Sequence, residues 1–189
     1  MNHIRDLQDI GETRRCLIIG GGESVNHFDF EKVPNDIYII STNNHLNQLA
    51  NMILYYDKTM QDYFKKHKVS DRTLLLGFKH NTIDYTCEQC THYYTYDDME
   101  FGDTGYHALQ FADRIFNFKQ IYLIGYDYKV NVKSYHYDEE RSDEKKLNDF
   151  KKWNIKEVVP KYEKMTFRNK IYNCDKNSDL KMFKYKKPY

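Results

Sequence analysis

A series of short apolar runs, each hydrophobic on both faces and each followed by a polar or helical stretch, constrains this chain most. The runs are Leu17-Ile18-Ile19, Ile37-Tyr38-Ile39-Ile40, Met52-Ile53-Leu54-Tyr55-Tyr56, Leu74-Leu75-Leu76, Ile121-Tyr122-Leu123-Ile124 and Ile171-Tyr172. A strand with one wet face alternates apolar and polar residues. Continuous apolar runs instead suit strands of a parallel sheet covered on both sides. Between 104 and 118, Ala108, Leu109, Ala112, Ile115 and Phe116 recur at helical spacing and predict a helix. A second helix is expected from Ser142, a suitable N-cap followed by Asp143 and Glu144, with Leu147, Phe150 and Trp153 as its apolar stripe. Strand alternating with helix predicts an α/β fold: a doubly wound, mainly parallel, Rossmann-like sheet flanked by helices. The stretch 81–103, rich in Thr, Tyr and Asp and without a clean period, reads as an inserted hairpin or loop.

Composition narrows the class. A length of 189 residues suits a single domain, 1–189. Lys and Arg number 29 against 28 Asp and Glu, so a uniformly basic or acidic surface is excluded. The segment 1–15 is charged and lacks the apolar core of a signal peptide, and no apolar run nears the roughly 20 residues that cross a bilayer. The four scattered cysteines read most simply as thiols of a reducing cytoplasm. Only Cys87 and Cys90 are closely spaced, with His92 nearby. A structural zinc site would need a second such pair, so a turn, or else a metal or redox role, remains; no metal site is expected.

In an open parallel sheet, ligands bind beyond the carboxyl ends of the strands. After the first run comes Gly20-Gly21-Gly22-Glu23-Ser24. It is either a glycine turn that lets a phosphate approach the backbone or simply a tight strand-to-helix turn. No Gly-Lys-Ser/Thr follows, and the third glycine of a dinucleotide fingerprint is missing. The second run ends in Ser41-Thr42-Asn43-Asn44, whose amides suit a base edge or ribose but equally a turn. Asp57, after the third, reads as a helix N-cap or a candidate carboxylate. Thr104 and Gly105 open a helix whose N-terminus can receive a phosphate. Beyond the fifth run lie Gly125-Tyr126-Asp127-Tyr128 and Ser134-Tyr135-His136-Tyr137, where His136 can titrate near neutral pH and tyrosines can donate to a departing phosphate.

Taken in order, Gly-x-Gly-x-Ser, Thr-Asn-Asn, Thr-Gly opening a long helix and Ile-Tyr-Leu-Ile-Gly-Tyr-Asp resemble two related groups. One is the bacterial sialyltransferase family that uses CMP-sialic acid. The other is the Rossmann-like proteins of tailed phages, linked to the DUF115 and pterin-diphosphokinase-like group. The resemblance covers roughly 15–183. It implies that Gly20, Gly22 and Ser24 border the nucleotide phosphate, with Gly21 a further candidate in the same turn, and that Asn43, flanked by the candidates Thr42 and Asn44, contacts the nucleotide. Thr104 and Gly105 stand where the family has Ser-Gly, and Tyr135 matches a tyrosine that helps the phosphate leave. Three departures accompany it. Glu23 replaces a usual Pro, Lys129 replaces the second leaving-group tyrosine, and 141–167 holds no counterpart of the family's histidine. His136 or Asp127 then becomes the substitute base.

The implied activity is sugar transfer from a nucleotide-sugar donor, with no tightly bound cofactor. The acceptor would be a saccharide, or modified phage DNA gripped by the basic, aromatic end from about 161. A non-catalytic nucleotide-binding phage module is the alternative.

Overall fold

A computed structural model of the chain describes residues 1–12, 14–43, 45–100, 102–128 and 152–189. Among them a ten-stranded sheet is formed by β1 (Asn2–His3), β2 (Arg15–Ile19), β3 (Tyr38–Thr42), β4 (Met52–Leu54), β5 (Leu74–His80), β6 (Ile83–Asp84), β7 (His92–Tyr94), β8 (Gln120–Ile124), β9 (Lys170–Asn173) and β10 (Lys184–Tyr185). The spatial order is β1-β7-β5-β4-β3-β2-β8-β9-β10. Every pairing along it is parallel, and β6 alone runs antiparallel, against β5. The expected doubly wound architecture is present, and all six apolar runs lie in or against these strands.

Alternation along β2 shows why both faces are apolar. Cys16 and Ile18 join Ile40, Leu123, Leu109 and Phe111 on one face, whereas Leu17 and Ile19 join Tyr122, Ile124, Val25 and Phe28 on the other. Full burial of each such side chain contributes about 1.5–3 kcal/mol, so neither face can be left wet. Helix α1 (Lys58–Lys66) buries Phe64 against Ile53 and Leu75. It starts where expected: Asp57 is its N-cap, accepting from the Met60 N–H at 2.9 Å. Helices α2 (Thr104–Arg114) and α3 (Val159–Lys164) cover the other face with Leu109, Phe111 and Tyr162.

Three features differ from the sequence reading. The 104–118 helix stops at Arg114, because Asn117 adopts a left-handed φ of 60° and the Ile115 and Phe116 carbonyls turn to accept from Asp9 and Gly11. The stretch 81–103 does hold a hairpin, β5–β6, but it also supplies β7, a parallel strand of the main sheet. Its Tyr94 is fully buried, a role hidden by the polar residues around it. The aromatics of the basic end are not all available to grip a ligand: the end forms β9 and β10 and sends Tyr162, Leu180 and Phe183 into the core, while Tyr185 and Tyr189 stay exposed. The expected helix from Ser142 lies outside the described residues, apart from its end at Trp153. No helix among the described residues is long and apolar enough to cross a membrane.

Candidate functional site at the carboxyl edge of the sheet

The strand order reverses between β2 and β8, and loops leaving adjacent strands part at such a switch point to open a crevice. The glycine turn begins there. The Gly20 N–H donates to the Ile124 carbonyl at 2.8 Å and the Gly22 N–H to the Gly125 carbonyl at 2.9 Å. A Cβ on Gly20 would lie 2.6 Å from the Gly125 carbonyl oxygen, and one on Gly22 2.6 Å from the Asp127 carboxyl carbon. Gly125 itself has φ +76°, a conformation that side chains resist. These glycines therefore serve the close approach of two backbone turns.

Ser24 and Asp127 clasp the turns together. The Ser24 N–H donates to Asp127 Oδ2 at 2.8 Å, its hydroxyl donates to Oδ1, and the Gly125 N–H donates to Ser24 Oγ at 3.0 Å. The Asp127 side chain is 2% exposed, an arrangement suited to holding the turn rather than to taking a proton from an acceptor. The amides of Gly20, Gly22 and Ser24 are thus engaged inside the protein, and Gly21 sits half-buried at the tip.

At the end of β3, Thr42 Oγ1 donates to the Ile19 carbonyl at 3.0 Å and fixes this edge to β2. Asn43 follows with φ 57°, its N–H donating to the Leu54 carbonyl at 2.8 Å. Its Oδ1 is buried and has no hydrogen-bond partner among the described residues. A buried amide oxygen left unpaired costs about 1–3 kcal/mol.

Tyr126 links the glycine turn to α2. Its ring lies 3.2 Å from where a Cβ on Gly20 or on Gly105 would stand, and its hydroxyl donates to the Gly105 carbonyl at 2.8 Å. Thr104 and Gly105 form the first turn of α2, both half-buried, with Asp103 as N-cap. Asp103 Oδ1 accepts from the Tyr106 N–H at 2.6 Å, and Oδ2 accepts from the Tyr128 hydroxyl at 2.5 Å. The Tyr128 and Tyr162 hydroxyls lie 3.0 Å apart. Burial raises the Asp103 carboxyl above its ordinary range, opposed by the bonds from Tyr128 and the Tyr106 amide. Burial also raises the phenols of Tyr126, Tyr128 and Tyr162, which stay protonated. His107, one turn on, is pushed down to about 3 by burial, and its Nε2 accepts from the Gly102 N–H at 3.2 Å. It is a neutral core imidazole.

Gly20, Gly21, Gly22, Ser24, Thr42, Asn43, Thr104, Gly105 and Asp127 therefore share one edge of the fold. Asn44, Lys129, Tyr135 and His136 lie outside the described residues. Asp103 at this edge was not singled out from the sequence, because an Asp before a helix reads as a cap; its burial and its bond from Tyr128 are tertiary properties.

Among the described residues, two grooves flank the fold. One of about 630 Å³, bordered by Arg14, Asn35 and Asn51, lies at the amino ends of β2 to β4. Its Arg15 is already paired with Asp36, both Asp36 oxygens 3.0 Å from Arg15 Nη2. Strand amino ends are not where open parallel sheets bind ligands. The other, of about 290 Å³, runs between α2 and α3 past Tyr106, Arg114, Lys161 and Lys164.

No protein-family model and no curated protein matches the chain. Solved structures do. The fold is similar to that of the sialyltransferase CstII from Campylobacter jejuni in complex with the substrate analogue CMP-3FNeuAc, with a TM-score of 0.57 and 17% identity over 92% of this chain and 86% of that one. The same enzyme in complex with cytidine-5'-monophosphate gives 0.56 and 17% over 92% and 85%. The sialyltransferase CST-II with a trisaccharide acceptor and CMP gives 0.54 and 16% over 91% and 85%. At these identities the likeness establishes the architecture: the chain has a sialyltransferase-like, Rossmann-like α/β fold.

Proposed function

We propose that the protein is a nucleotide-sugar-dependent glycosyltransferase of the sialyltransferase-like type, acting on a saccharide acceptor. The observation that carries this reading is Asn43: a buried amide oxygen with no partner among the described residues, at the carboxyl end of β3 next to β2. A nucleobase amino group or a ribose hydroxyl would satisfy it. Solved neighbours of this fold hold cytidine nucleotides, which supports the same class of donor here.

In this reading Thr42, Asn43 and Asn44 face the nucleoside, and Gly20, Gly21, Gly22 and Ser24 form the floor beneath its phosphate. The α2 N-terminus, with Thr104 and Gly105, faces the phosphate with the positive end of its dipole. Tyr135 and Lys129 assist phosphate departure, as the family resemblance implies. The acceptor lies along the groove between α2 and α3. Its hydroxyl oxygen attacks the anomeric carbon as the bond from that carbon to the phosphate oxygen breaks, and a base takes the hydroxyl proton. Two groups suit that role, His136 and Asp103. A carboxylate whose pKa is raised by burial binds a proton more readily than an exposed one.

The test is turnover of CMP-, UDP-, GDP- and ADP-sugars with saccharide acceptors, with a DNA arm because Lys184, Tyr185, Lys186 and Tyr189 crowd the β10 edge. At least one donor should be consumed, and Tyr135→Phe should slow it. Nucleotide binding without turnover for any pair would overturn the enzyme reading in favour of a binding module.

A further inference from the structure

The stretch joining β6 to β7 takes no part in the site above, yet it holds two free thiols side by side. Cys87 and Cys90 close a turn, the Cys90 N–H donating to the Cys87 carbonyl at 2.9 Å, and their sulfurs lie 3.7 Å apart. Such a turn keeps its first and fourth Cα atoms within about 7 Å, inside the span that a disulfide bridges. Side-chain rotation then suffices to bring the sulfurs together. Gln89 holds the turn against the end of α1: its amide donates to the Phe64 carbonyl and to the His67 carbonyl at 3.1 Å, and accepts from the Val69 N–H at 2.8 Å. The thiols cannot readily swing apart.

The two sulfurs have unequal surroundings. Cys90 is 7% exposed, and burial pushes its thiol up to about 12. Two groups nevertheless converge on that sulfur, the Cys87 N–H at 3.3 Å and the Tyr55 hydroxyl at 3.2 Å. Cys87 is half-buried and reaches solvent. Cys16 and Cys174 are both buried, with thiols raised by burial. Two sulfurs alone fall short of the four ligands of a structural zinc site.

We propose that Cys87 and Cys90 form a dithiol site for low-molecular-weight disulfides of the glutathione disulfide class, closing reversibly to an intramolecular disulfide. The Cys87 thiolate attacks one sulfur of the small disulfide; a Cys87–S–S bond forms, the original S–S bond breaks, and the first small thiolate leaves and is protonated. Cys90 then gives its proton to water and attacks the Cys87 sulfur, expelling the second small thiolate. The protein loses two electrons and two protons, and one small disulfide becomes two small thiols. The Cys87 N–H and the Tyr55 hydroxyl stabilise charge on the Cys90 sulfur as it develops.

The test incubates the full-length protein with glutathione disulfide, alkylates remaining thiols and maps peptides by mass spectrometry. The wild type should yield a Cys87–Cys90 crosslinked peptide with no retained glutathione, reversed by dithiothreitol. Cys90→Ser should stop as a mixed disulfide at Cys87, Cys87→Ser should react at least about tenfold more slowly, and Tyr55→Phe should accumulate the mixed disulfide. The wild-type map decides even if a variant fails to fold. A lasting glutathione adduct on wild-type Cys87, first oxidation at Cys16 or Cys174, or an unchanged thiol count would overturn the proposal.

Discussion

At the glycine turn after β2, the polar groups face one another: Gly20, Gly22 and Ser24 donate to β8, Gly125 and Asp127, and Asp127 is closed off at 2% exposure. At the start of α2, Asp103 also has both oxygens engaged, by the Tyr106 N–H and the Tyr128 hydroxyl, but its carboxyl is raised by burial and it caps a helix. Both regions pair a glycine-containing turn with a carboxylate at the same edge of the sheet. The first carboxylate is held by one serine across the glycine turn, whereas the second caps a helix, meets a tyrosine hydroxyl and carries a pKa raised by burial. Surroundings, more than residue type, set these two carboxylates apart.

Substitution at the glycine turn should cost stability first. Gly125→Ala places a Cβ at φ +76°, 2.4 Å from the Gly20 carbonyl oxygen. A loss of roughly 3 kcal/mol is expected from strain and overlap together, measured by urea denaturation. Little or no loss would break the contrast, since the turns would then be free to part. Asp127→Ala leaves the Ser24 amide without its acceptor in a buried place, and about 2–3 kcal/mol should go with it.

Asp103 should behave in the opposite way. Asp103→Asn keeps an oxygen for the cap and removes the buried charge, so stability at neutral pH should hold or rise, while Asp103→Ala should lose about 1 kcal/mol with the cap. The pH dependence sharpens this. A carboxyl raised above its ordinary 3.8 favours the folded state most below that value, and the advantage fades as pH rises through the folded pKa. The stability of Asp103→Asn relative to wild type should therefore climb as pH rises above 3.8 and level off once the folded carboxyl has ionised. A flat difference would place Asp103 with Asp127 as a plain anchor.

The sheet was legible because both-face burial leaves apolar runs such as Leu17-Ile18-Ile19 in the sequence itself. β7 was not, because His92-Tyr93-Tyr94 is short and polar in appearance, and its neighbours β5 and β1 make it a strand. The site was legible as a set of strand ends, and Thr42, Asn43, Thr104 and Gly105 do share one edge. Their division of labour was not. That Gly20 and Gly22 face a second backbone turn, and that Ser24 is clasped by a residue over 100 positions away, are consequences of tertiary contact. The C-terminal aromatics show the same limit: Tyr162 and Phe183 look like Tyr185 and Tyr189 in sequence, and only packing separates core from surface.

Calorimetric titration of a cytidine, uridine, guanosine and adenosine nucleotide panel into wild type and Asn43→Gly bears most directly on the carboxyl-edge site. Glycine keeps the φ of 57° without strain and removes only the amide. One nucleotide should bind the wild type, and Asn43→Gly should weaken it at least about tenfold, or 1.4 kcal/mol, with the fold equally stable. Equal affinity of the two proteins, or binding of no nucleotide at all, would contradict the account.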